Sequence, residues 1–329
     1  MRVLVTGGGG YIGAHAVRRL LQAGHEPVVL DNFCRGHRQS VPESVPVIDC
    51  DVRRTAEVAD TLAGERIECV MHFAALAYVG ESVQQPTLYY DNNAGGTLSL
   101  IRAVEQAKVR RLVFSSTCAT YGEPAQMPIR EETPQQPVNP YGWSKLMSEQ
   151  MLRDFATANP DFGFAALRYF NVAGCARDGS VGEDHDPETH LIPVVLQAAL
   201  GLRDRVTVFG DDYDTPDGTC IRDYVHVEDL VAAHVTVMEA LGPGEQRAYN
   251  LGIGRGHSVH QIIDAACRVT RQPIDFEVGP RRPGDPPVLY ADPSRIATEL
   301  GWHAELDDLE QIIDTAWRWL RDHPRGYAT

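Results

Sequence analysis

Thr6-Gly7-Gly8-Gly9-Gly10-Tyr11-Ile12-Gly13 joins a short apolar run, Arg2–Thr6, to a helical pattern over residues 12–23. The stretch fits two glycine spacings, G-x-G-x-x-G and G-x-x-G-x-x-G, and both end at Gly13. Glycine permits a tight turn that brings the main chain close to a pyrophosphate, and the N-terminus of the following helix stabilises the negative charge. This context predicts a dinucleotide site, with cofactor contacts from Gly7, Gly10, Tyr11, Ile12 and Gly13.

An acidic residue at the end of the next strand indicates which dinucleotide binds. Residues 28–30 form the second strand pattern, and Asp31 follows directly. Its carboxylate can accept hydrogen bonds from adenosine ribose hydroxyls, and its charge repels a 2′-phosphate. The sequence therefore predicts NAD rather than NADP.

Two further strand ends add candidate cofactor contacts. Asp51 and Val52 follow the third strand pattern, where the edge of the adenine would lie. Phe73, Ala74 and Ala75 follow the fourth, and the small alanines let the main chain approach a cofactor closely.

Strand patterns alternate with helical patterns through the first half of the chain. The strands fall at residues 2–6, 28–30, 45–48, 69–73, 112–115 and 164–167, and the helices at 12–23, 56–62, about 86–107 and 141–158. This alternation predicts an α/β fold, a Rossmann-type doubly wound parallel sheet with helices on both faces.

The second half is richer in turns, at residues 173–190, 210–219 and 279–287. Helical patterns occupy 191–201, 227–241, 258–270 and 306–322, and strand patterns occupy 206–209, 249–251 and 274–278. We therefore expect a cofactor domain at 1–170 and a smaller, loop-rich α/β C-terminal substrate lobe at 171–329. A segment at about 225–252 is expected to return to the first domain.

The net charge and the cysteine content indicate which partners, and which cellular compartment, suit the protein. The net charge of the 329-residue chain is −15, which argues against nucleic acid or an anionic membrane as a partner because both attract Lys and Arg. The seven cysteines contain no C-x-x-C pair, so neither a zinc cluster nor a disulfide framework is predicted, and no metal is expected. Without a signal-peptide pattern or an apolar run near the ~18 residues of a membrane span, we expect a cytoplasmic protein.

Tyr141 and Lys145 lie four residues apart at the start of a helical pattern, which places them on one face. A free tyrosine has a pKa of about 10, and a nearby positive charge favours its phenolate. Lys145 can supply that charge while it donates to cofactor ribose hydroxyls. Only Lys108 and Lys145 among the 30 basic residues are lysines. The spacing predicts a catalytic Tyr–Lys pair.

Eight further stretches carry a resemblance to one known family. They are 72–82 (HFAALAYVGES), 89–97 (YYDNNAGGT), 114–122 (FSSTCATYG), 141–145 (YGWSK), 167–171 (LRYFN), 222–230 (RDYVHVEDL), 249–252 (YNLG) and 281–285 (RRPGD). With them the chain resembles the extended short-chain dehydrogenase/reductase family over nearly its whole length. Within that family it is most similar to members that invert C4′ of UDP-hexoses.

The resemblance implies tightly bound NAD and a set of cofactor contacts. Beyond the glycine loop and Asp31 these are Asn32, Asp51, Val52, Phe73, Ala74, Ala75, Asn92, Ser115, Tyr141, Lys145 and Phe170. It also implies that Thr117 bonds the sugar 4′-hydroxyl and that Tyr141 takes its proton while C4′ gives a hydride to NAD. The 4-keto sugar then turns in the pocket, and the hydride returns to its other face.

A second implied set of residues binds the UDP-sugar. Arg222 and Arg282 are expected at the pyrophosphate, because a guanidinium suits bidentate phosphate recognition, and Asp285 is expected at the uridine ribose. The remaining implied contacts are Asn171, His190, Leu191, Val208, Phe209 and Leu289.

Three positions depart from the family pattern. His190 stands where many members carry Asn, and Ala77 stands where a cofactor-binding Lys is common. Leu289 stands where some members have Tyr, at the pocket wall near the sugar C2′. Because Leu is shorter than Tyr, the sequence predicts that UDP-N-acetylglucosamine and UDP-N-acetylgalactosamine are also accepted.

The implied activity is the interconversion of UDP-galactose and UDP-glucose by a homodimer formed through the helices at about 86–107 and 141–158. Other UDP-sugar epimerases and decarboxylases of the family fit the same residues. A 4,6-dehydratase fits less well, because Cys118 and Ala119 follow Thr117 where a carboxylic pair is needed. A non-catalytic NAD-sensing regulator would be expected to lack the Tyr–Lys pair.

Overall fold

The computed structural model describes residues 1–282 and 284–327. Strands and helices alternate through its first half, as β1 (Arg2–Thr6), α1 (Tyr11–Gln22), β2 (Glu26–Asp31), β3 (Val47–Asp49), α2 (Thr55–Gly64), β4 (Cys69–His72), α3 (Val79–Gln84), α4 (Pro86–Tyr89), α5 (Gly96–Ala107), β5 (Arg111–Thr117), α6 (Pro140–Ala158) and β6 (Gly163–Tyr169).

The second half contains shorter strands and longer loops. Its elements are β7 (Asn171–Ala173), α7 (Leu191–Ala199), β8 (Val206–Phe209), β9 (Ile221–Arg222), β10 (Tyr224–His226), α8 (Val227–Ala240), β11 (Gln246–Leu251), β12 (His257–Ser258), α9 (Val259–Thr270), β13 (Phe276–Gly279), β14 (Val288–Leu289), α10 (Ser294–Leu300) and α11 (Leu309–Asp322).

Within the described residues, seven strands form one parallel sheet in the order β11-β6-β5-β4-β1-β2-β3. Side chains alternate between its faces. In β1, Val3 and Val5 join the apolar layer under α1 and α8, and Leu4 joins the opposite layer under α2, α5 and α6. The predicted fold class, a doubly wound parallel sheet, is therefore confirmed.

The strand order places a crevice beside β1. Strand β1 lies between β4 and β2, so the connections run away from it in opposite directions along the sheet. Ligands of such sheets bind beyond the carboxyl ends of the strands at this reversal point. Here Gly7 follows β1, Asp31 ends β2, Phe73 follows β4 and Thr117 ends β5.

Two elements from the second half of the chain, α8 and β11, pack with the sheet and helices of the first half. Strand β11 pairs with β6 in the main sheet, and α8 packs against α1. The other late elements build a separate apolar core from α7, α9, α11 and β8. This second core is therefore built from segments on both sides of α8 and β11.

The structure differs from the predicted helix at about 86–107. This stretch consists of α4, a π-helical turn at Tyr90–Gly95, and α5. The sequence pattern cannot show the wider turn, because apolar spacing continues across it. The prediction also lacks α3, α10 and the shortest strands, because elements of this length contain too few residues to show periodicity. None of the described helices is long and apolar enough to span a membrane.

Candidate active site

The glycine loop is shaped by contacts that exclude larger side chains. Gly7 has φ +73°, and a Cβ there would lie 2.6 Å from the main-chain nitrogen of Ala74. A Cβ at Gly13 would lie 2.1 Å from the carbonyl oxygen of Gly7. Gly10, at the start of α1, has no side chain to cap the first helical turn. The loop therefore offers open N–H groups and close backbone approach, which fits the pyrophosphate of NAD.

Asp31 lies at the end of β2 and binds the main chain of the glycine loop. Its carboxylate oxygens accept hydrogen bonds from the N–H groups of Gly9 and Phe33, both at 2.8 Å. Burial raises the pKa of Asp31, and these hydrogen bonds oppose the rise. Each oxygen keeps a further lone pair for a ribose hydroxyl.

A second carboxylate lies at the neighbouring strand end. Asp51 accepts a hydrogen bond from Asn32 at 3.1 Å and pairs with Arg53 at 2.7 Å. The hydrogen bond from Arg53 holds the pKa of Asp51 at about 2. Two acidic residues on this side disfavour a 2′-phosphate, in agreement with the NAD prediction. The side chain of Val52 packs in the core, so any contact it makes with a cofactor must come from its main chain.

The loop after β4 is fixed by a residue that the sequence does not mark. Asn93, in the π-helical turn, donates to the carbonyl of Leu76 at 3.0 Å and accepts from its N–H at 2.8 Å. Its neighbour Asn92, a predicted cofactor contact, donates to the Asn93 side chain. The ring of Phe73 packs against His234, with centroids 4.9 Å apart. These contacts set the position of Ala74 and Ala75 beside the glycine loop.

Helix α6 presents Lys145 to the end of β5. The side chain of Asn139 caps this helix by accepting from Gly142 N–H at 2.8 Å, and Pro140 occupies its first position. Nζ of Lys145 donates to the carbonyl of Ser115 at 2.8 Å and lies 5.0 Å from the ring centroid of Phe114. Burial lowers the pKa of Lys145 to about 7.

The phenol of Tyr141 is buried at the start of the same helix. Burial raises the pKa of its phenol to about 12, and a hydrogen bond with Thr117 opposes the rise. The Lys145 ammonium is directed to the Ser115 carbonyl, and burial desolvates it. That Lys145 favours the phenolate of Tyr141, with a nicotinamide ring adding to its effect, stays a prediction.

A buried ion pair supports this corner of the site. Glu149, one turn after Lys145, accepts from Arg168 Nε at 2.9 Å and from Ser116 at 2.5 Å. Burial acts to raise the pKa of Glu149, but hydrogen bonding and charge pairing with Arg168 lower it overall. No motif in the sequence points to this pair, because Arg168 lies on a different element, β6.

The predicted sugar-side residues come together from distant parts of the chain. Arg222 in β9 forms a close ion pair with Asp285. Arg222 is also paired with Leu289 where β9 and β14 lie side by side as parallel strands. The guanidinium of Arg282 lies 4.0 Å from the ring centroid of Phe209. Four segments therefore meet at one wall of the site.

The remaining predicted contacts are distributed around this wall. Leu289 packs against the apolar cluster that contains Phe170, as does Cys118, the residue after Thr117. Asn171 follows β6 and donates its main-chain N–H to Asp223 at 3.0 Å. The side chains of Val208 and Leu191 pack in the C-terminal core, which leaves the main chain of Val208 for any ligand contact.

His190 occupies a different setting from the expected phosphate contact. Its Nδ1 lies against a carboxylate oxygen of Glu183. Any hydrogen bond from His190 to a phosphate must therefore come from Nε2.

The model of the NAD dependent epimerase/dehydratase family matches residues 3–252. The chain belongs to this family, which confirms the predicted resemblance and the NAD-dependent epimerase class. It is 47% identical over 329 residues to the UDP-glucose 4-epimerase of Lacticaseibacillus casei, covering 100% of this chain and 99% of that protein.

Two further relatives are informative. A UDP-glucose 4-epimerase of Bifidobacterium longum, solved with NAD+ and UDP, is 41% identical with a TM-score of 0.95, covering 99% of this chain and 100% of that one. A probable UDP-arabinose 4-epimerase of Oryza sativa subsp. japonica is 44% identical over 340 residues, covering 99% of this chain and 84% of that protein.

Proposed function

We propose that the chain is a UDP-glucose 4-epimerase that interconverts UDP-galactose and UDP-glucose with bound NAD. The observation that carries this proposal is the placement of Tyr141 and Lys145 on α6 beside Thr117 at the end of β5, where Lys145 Nζ donates to the Ser115 carbonyl at 2.8 Å. This group of residues lies between the glycine loop, which fits a dinucleotide, and the wall of Arg222, Asp285 and Phe209. The hydroxyl that reacts must be placed between a cofactor and a base, and this position satisfies both requirements.

The chain's own residues handle the proton of the sugar 4′-hydroxyl. Thr117 orients that hydroxyl, and Tyr141 accepts its proton and later returns it. Bound NAD supplies the hydride acceptor at C4′ and a positive nicotinamide ring. Because the phenol has a pKa of about 12 without ligand, Tyr141 becomes an effective base only when additional positive charge is close. General-base catalysis of this kind contributes ~10²–10⁴-fold.

The UDP part is held by local positive charge in an acidic protein. Arg222 and Arg282 provide guanidinium groups for the pyrophosphate. Arg222 is paired with Asp285 without ligand, and this pairing orients the carboxylate beside the pocket. In the complex we assign Asp285 to the ribose hydroxyls of uridine and Phe209 to the edge of the uracil.

The test is to incubate the purified protein with UDP-galactose, without added NAD, and to measure UDP-glucose. Turnover that is lost in Tyr141→Phe, with retained NAD and an unchanged circular dichroism spectrum, supports the proposal. A matched control is Tyr290→Phe, a tyrosine outside the assigned site. Absence of interconversion, even with NAD supplied, overturns it.

The similarity to a probable UDP-arabinose 4-epimerase favours a second candidate substrate. UDP-arabinose lacks the C6′ hydroxymethyl group, and the residues assigned to C4′ and to UDP would serve both sugars. Parallel assays with both substrates decide between them. A kcat/KM for UDP-arabinose higher than that for UDP-galactose would reassign the activity to a UDP-pentose epimerase.

We also propose that the enzyme is a homodimer formed through α5 and α6. Trp143 and Met147 lie on one face of α6 and are 42% and 44% exposed, and Leu98 on the neighbouring α5 is 39% exposed. Exposed apolar side chains in one patch favour a protein interface. Light scattering should show a dimer that Met147→Glu dissociates, while Leu202→Glu, an exposed apolar site elsewhere, leaves it intact. A monomeric wild type would overturn this proposal.

We place the enzyme in the cytoplasm. All seven cysteines are free thiols, which supports a reducing compartment. Localisation of a tagged protein by cell fractionation tests this assignment.

A further inference from the structure

Four metal-ligating side chains converge in the segment 183–190, beside the site but apart from Tyr141 and Thr117. They are Glu183, His185, Glu188 and His190, and one ligand atom from each lies within 4.8 Å of the others. Nδ1 of His185 lies 3.3 Å from Glu183 and 3.6 Å from Glu188. Nδ1 of His190 lies close to Glu183 and 3.9 Å from Glu188. Each histidine therefore approaches both carboxylates, as in a cluster around one centre.

The separations fit a small metal ion. Zn²⁺ bonds His nitrogen and carboxylate oxygen at about 2.0–2.2 Å in a tetrahedron, which places neighbouring ligand atoms about 3.4 Å apart. Three of the four His–Glu separations lie between 3.3 and 3.9 Å. Two imidazoles and two carboxylates suit Zn²⁺ and related first-row divalent ions, whereas Ca²⁺ and Mg²⁺ prefer oxygen ligands alone.

A buried ring nitrogen faces both carboxylates of the cluster without a well-formed hydrogen bond to either. Nδ1 of His185 is buried and makes no hydrogen bond among the described residues. Its ring packs edge-on against Tyr11 and Tyr78, which fix its orientation. Its separations from Glu183 and Glu188, 3.3 and 3.6 Å, are those of neighbouring ligand atoms around one ion. A metal ion at the centre of the cluster would accept the lone pair of this nitrogen directly.

The carboxylates are held in place around the cluster. One oxygen of Glu188 accepts from the N–H groups of Thr189 and His190, at 2.7 and 2.8 Å. Such contacts orient metal ligands and raise affinity. Glu183 and Glu188 are both buried, and the imidazoles of His185 and His190 lie at ion-pair distance from them. A divalent cation bound between them would balance both carboxylates in place of imidazole protons, and the two imidazoles would then be neutral ligands.

We propose that Glu183, His185, Glu188 and His190 bind one divalent transition-metal ion, with Zn²⁺ as the preferred ion. Four protein ligands fill a tetrahedral site, which is typical of a structural rather than a catalytic metal. Coordination through Nδ1 leaves Nε2 of His190 as an N–H donor, so the site is compatible with the expected phosphate contact.

The position of the site indicates what the metal would stabilise. Residue Tyr11 of the glycine loop packs against His185 on one side, and α7 begins directly after His190 on the other. Between the ligands, Asp184 accepts from the main-chain N–H of Tyr327 at 2.8 Å. The metal would therefore fix the conformation of the segment 183–190, which connects the region of the glycine loop to α7. The sequence spacing E-x-H-x-x-E-x-H contains no cysteine, so cysteine spacing could not reveal it.

The test measures metal binding directly, so its result does not depend on epimerase activity. Full-length protein with its bound NAD, purified without a metal-affinity tag and treated with a chelator, is titrated with Zn²⁺ against a chromophoric chelator. We expect one Zn²⁺ per chain, and visible absorption typical of tetrahedral Co²⁺ when Co²⁺ is substituted.

Substitutions locate the ion. His185→Gln and Glu188→Gln are each expected to weaken Zn²⁺ binding by at least about 100-fold. Asp186→Asn is the matched control, because Asp186 is an exposed carboxylate between the same ligands, and it should bind Zn²⁺ like the wild type. If one ligand variant fails to fold, the other supplies the same comparison. Less than one tight site in the wild type, or unchanged affinity in a folded ligand variant, overturns the proposal.

Discussion

Lys145 donates a hydrogen bond from Nζ to the main-chain carbonyl of Ser115 at 2.8 Å, inside a pocket bounded by the ring of Phe114. This contact couples the start of α6 to the end of β5, the two elements that carry Tyr141 and Thr117. The ammonium is buried, and burial lowers its pKa to about 7. The site therefore holds a compact cation whose charge depends on what is bound beside it.

Lys145→Arg should lose most activity although the charge is retained. A planar guanidinium cannot occupy the space of a rotatable ammonium and still serve both Ser115 and a ribose. We expect kcat for UDP-galactose to fall at least about 100-fold, in the range of a lost acid–base contribution. Lys108→Arg, an exposed control, should be active. Near wild-type turnover of Lys145→Arg would refute the assigned role.

Gly13→Ala should abolish NAD retention. The added Cβ would lie 2.1 Å from the carbonyl oxygen of Gly7, so the loop must move away from the position that suits a pyrophosphate. The measurement is the NAD content of the purified protein. Gly64→Ala in α2 is the control, because its Cβ meets open space, and it should raise stability by up to about 1 kcal/mol. Full NAD content in Gly13→Ala would contradict the loop assignment.

Glu149→Gln should destabilise the folded protein strongly. Glu149 is buried and pairs with Arg168, which is also buried. Neutralising one partner leaves an uncompensated buried charge, at a cost of about 3–5 kcal/mol. Urea unfolding measures the change, and Asp154→Asn on the exposed face of α6 should change the free energy of unfolding by less than about 0.5 kcal/mol. Similar losses in both variants would show that the pair is not what stabilises this corner.

Stability should fall in mild acid because of His72. Its ring is buried between Thr6 and Thr97, at 2.7 and 3.1 Å, and burial, with a smaller effect of Lys145, lowers its pKa from 6.5 to about 3. Below pH 6.5 the unfolded chain binds a proton that the folded chain does not. The free energy of unfolding should therefore lose about 1.4 kcal/mol per pH unit from this residue as pH falls toward 3. Denaturation curves for His72→Gln should show a shallower dependence, and parallel curves would exclude His72 as the cause.

Leu289→Tyr should narrow the sugar specificity. Leu289 packs against the apolar cluster that contains Phe170, and the sequence predicts that its short side chain admits an N-acetyl group at C2′. The wild type should turn over UDP-N-acetylglucosamine, and the larger ring should lower kcat/KM for it at least about 10-fold, with UDP-glucose nearly unaffected. No wild-type activity on the N-acetylated sugar at saturation would refute this.

Local sequence determined the parallel α/β framework and much of the cofactor side. Apolar strands followed by helices specify a covered parallel sheet, and this sheet is observed with the predicted first six strands. Gly13 could be recognised because its steric requirement, the carbonyl of Gly7, lies within the same loop, and Gly7 because the turn requires a positive φ. Tyr141 and Lys145 could be recognised because a helix brings residues four apart onto one face.

Tertiary structure alone decided how charges are paired. The direction of Lys145 toward Ser115, the Glu149–Arg168 pair and the Arg222–Asp285 pair join residues from separate elements, and no local pattern encodes such contacts. The same holds for Asn93 on its π-helical turn, which apolar periodicity does not distinguish from a regular helix. It holds also for the pKa of Tyr141, because burial depends on the whole fold. Residue types and short-range spacing can be read directly from the sequence. The desolvation of side chains and the pairing of charges between distant elements arise only when the chain has folded.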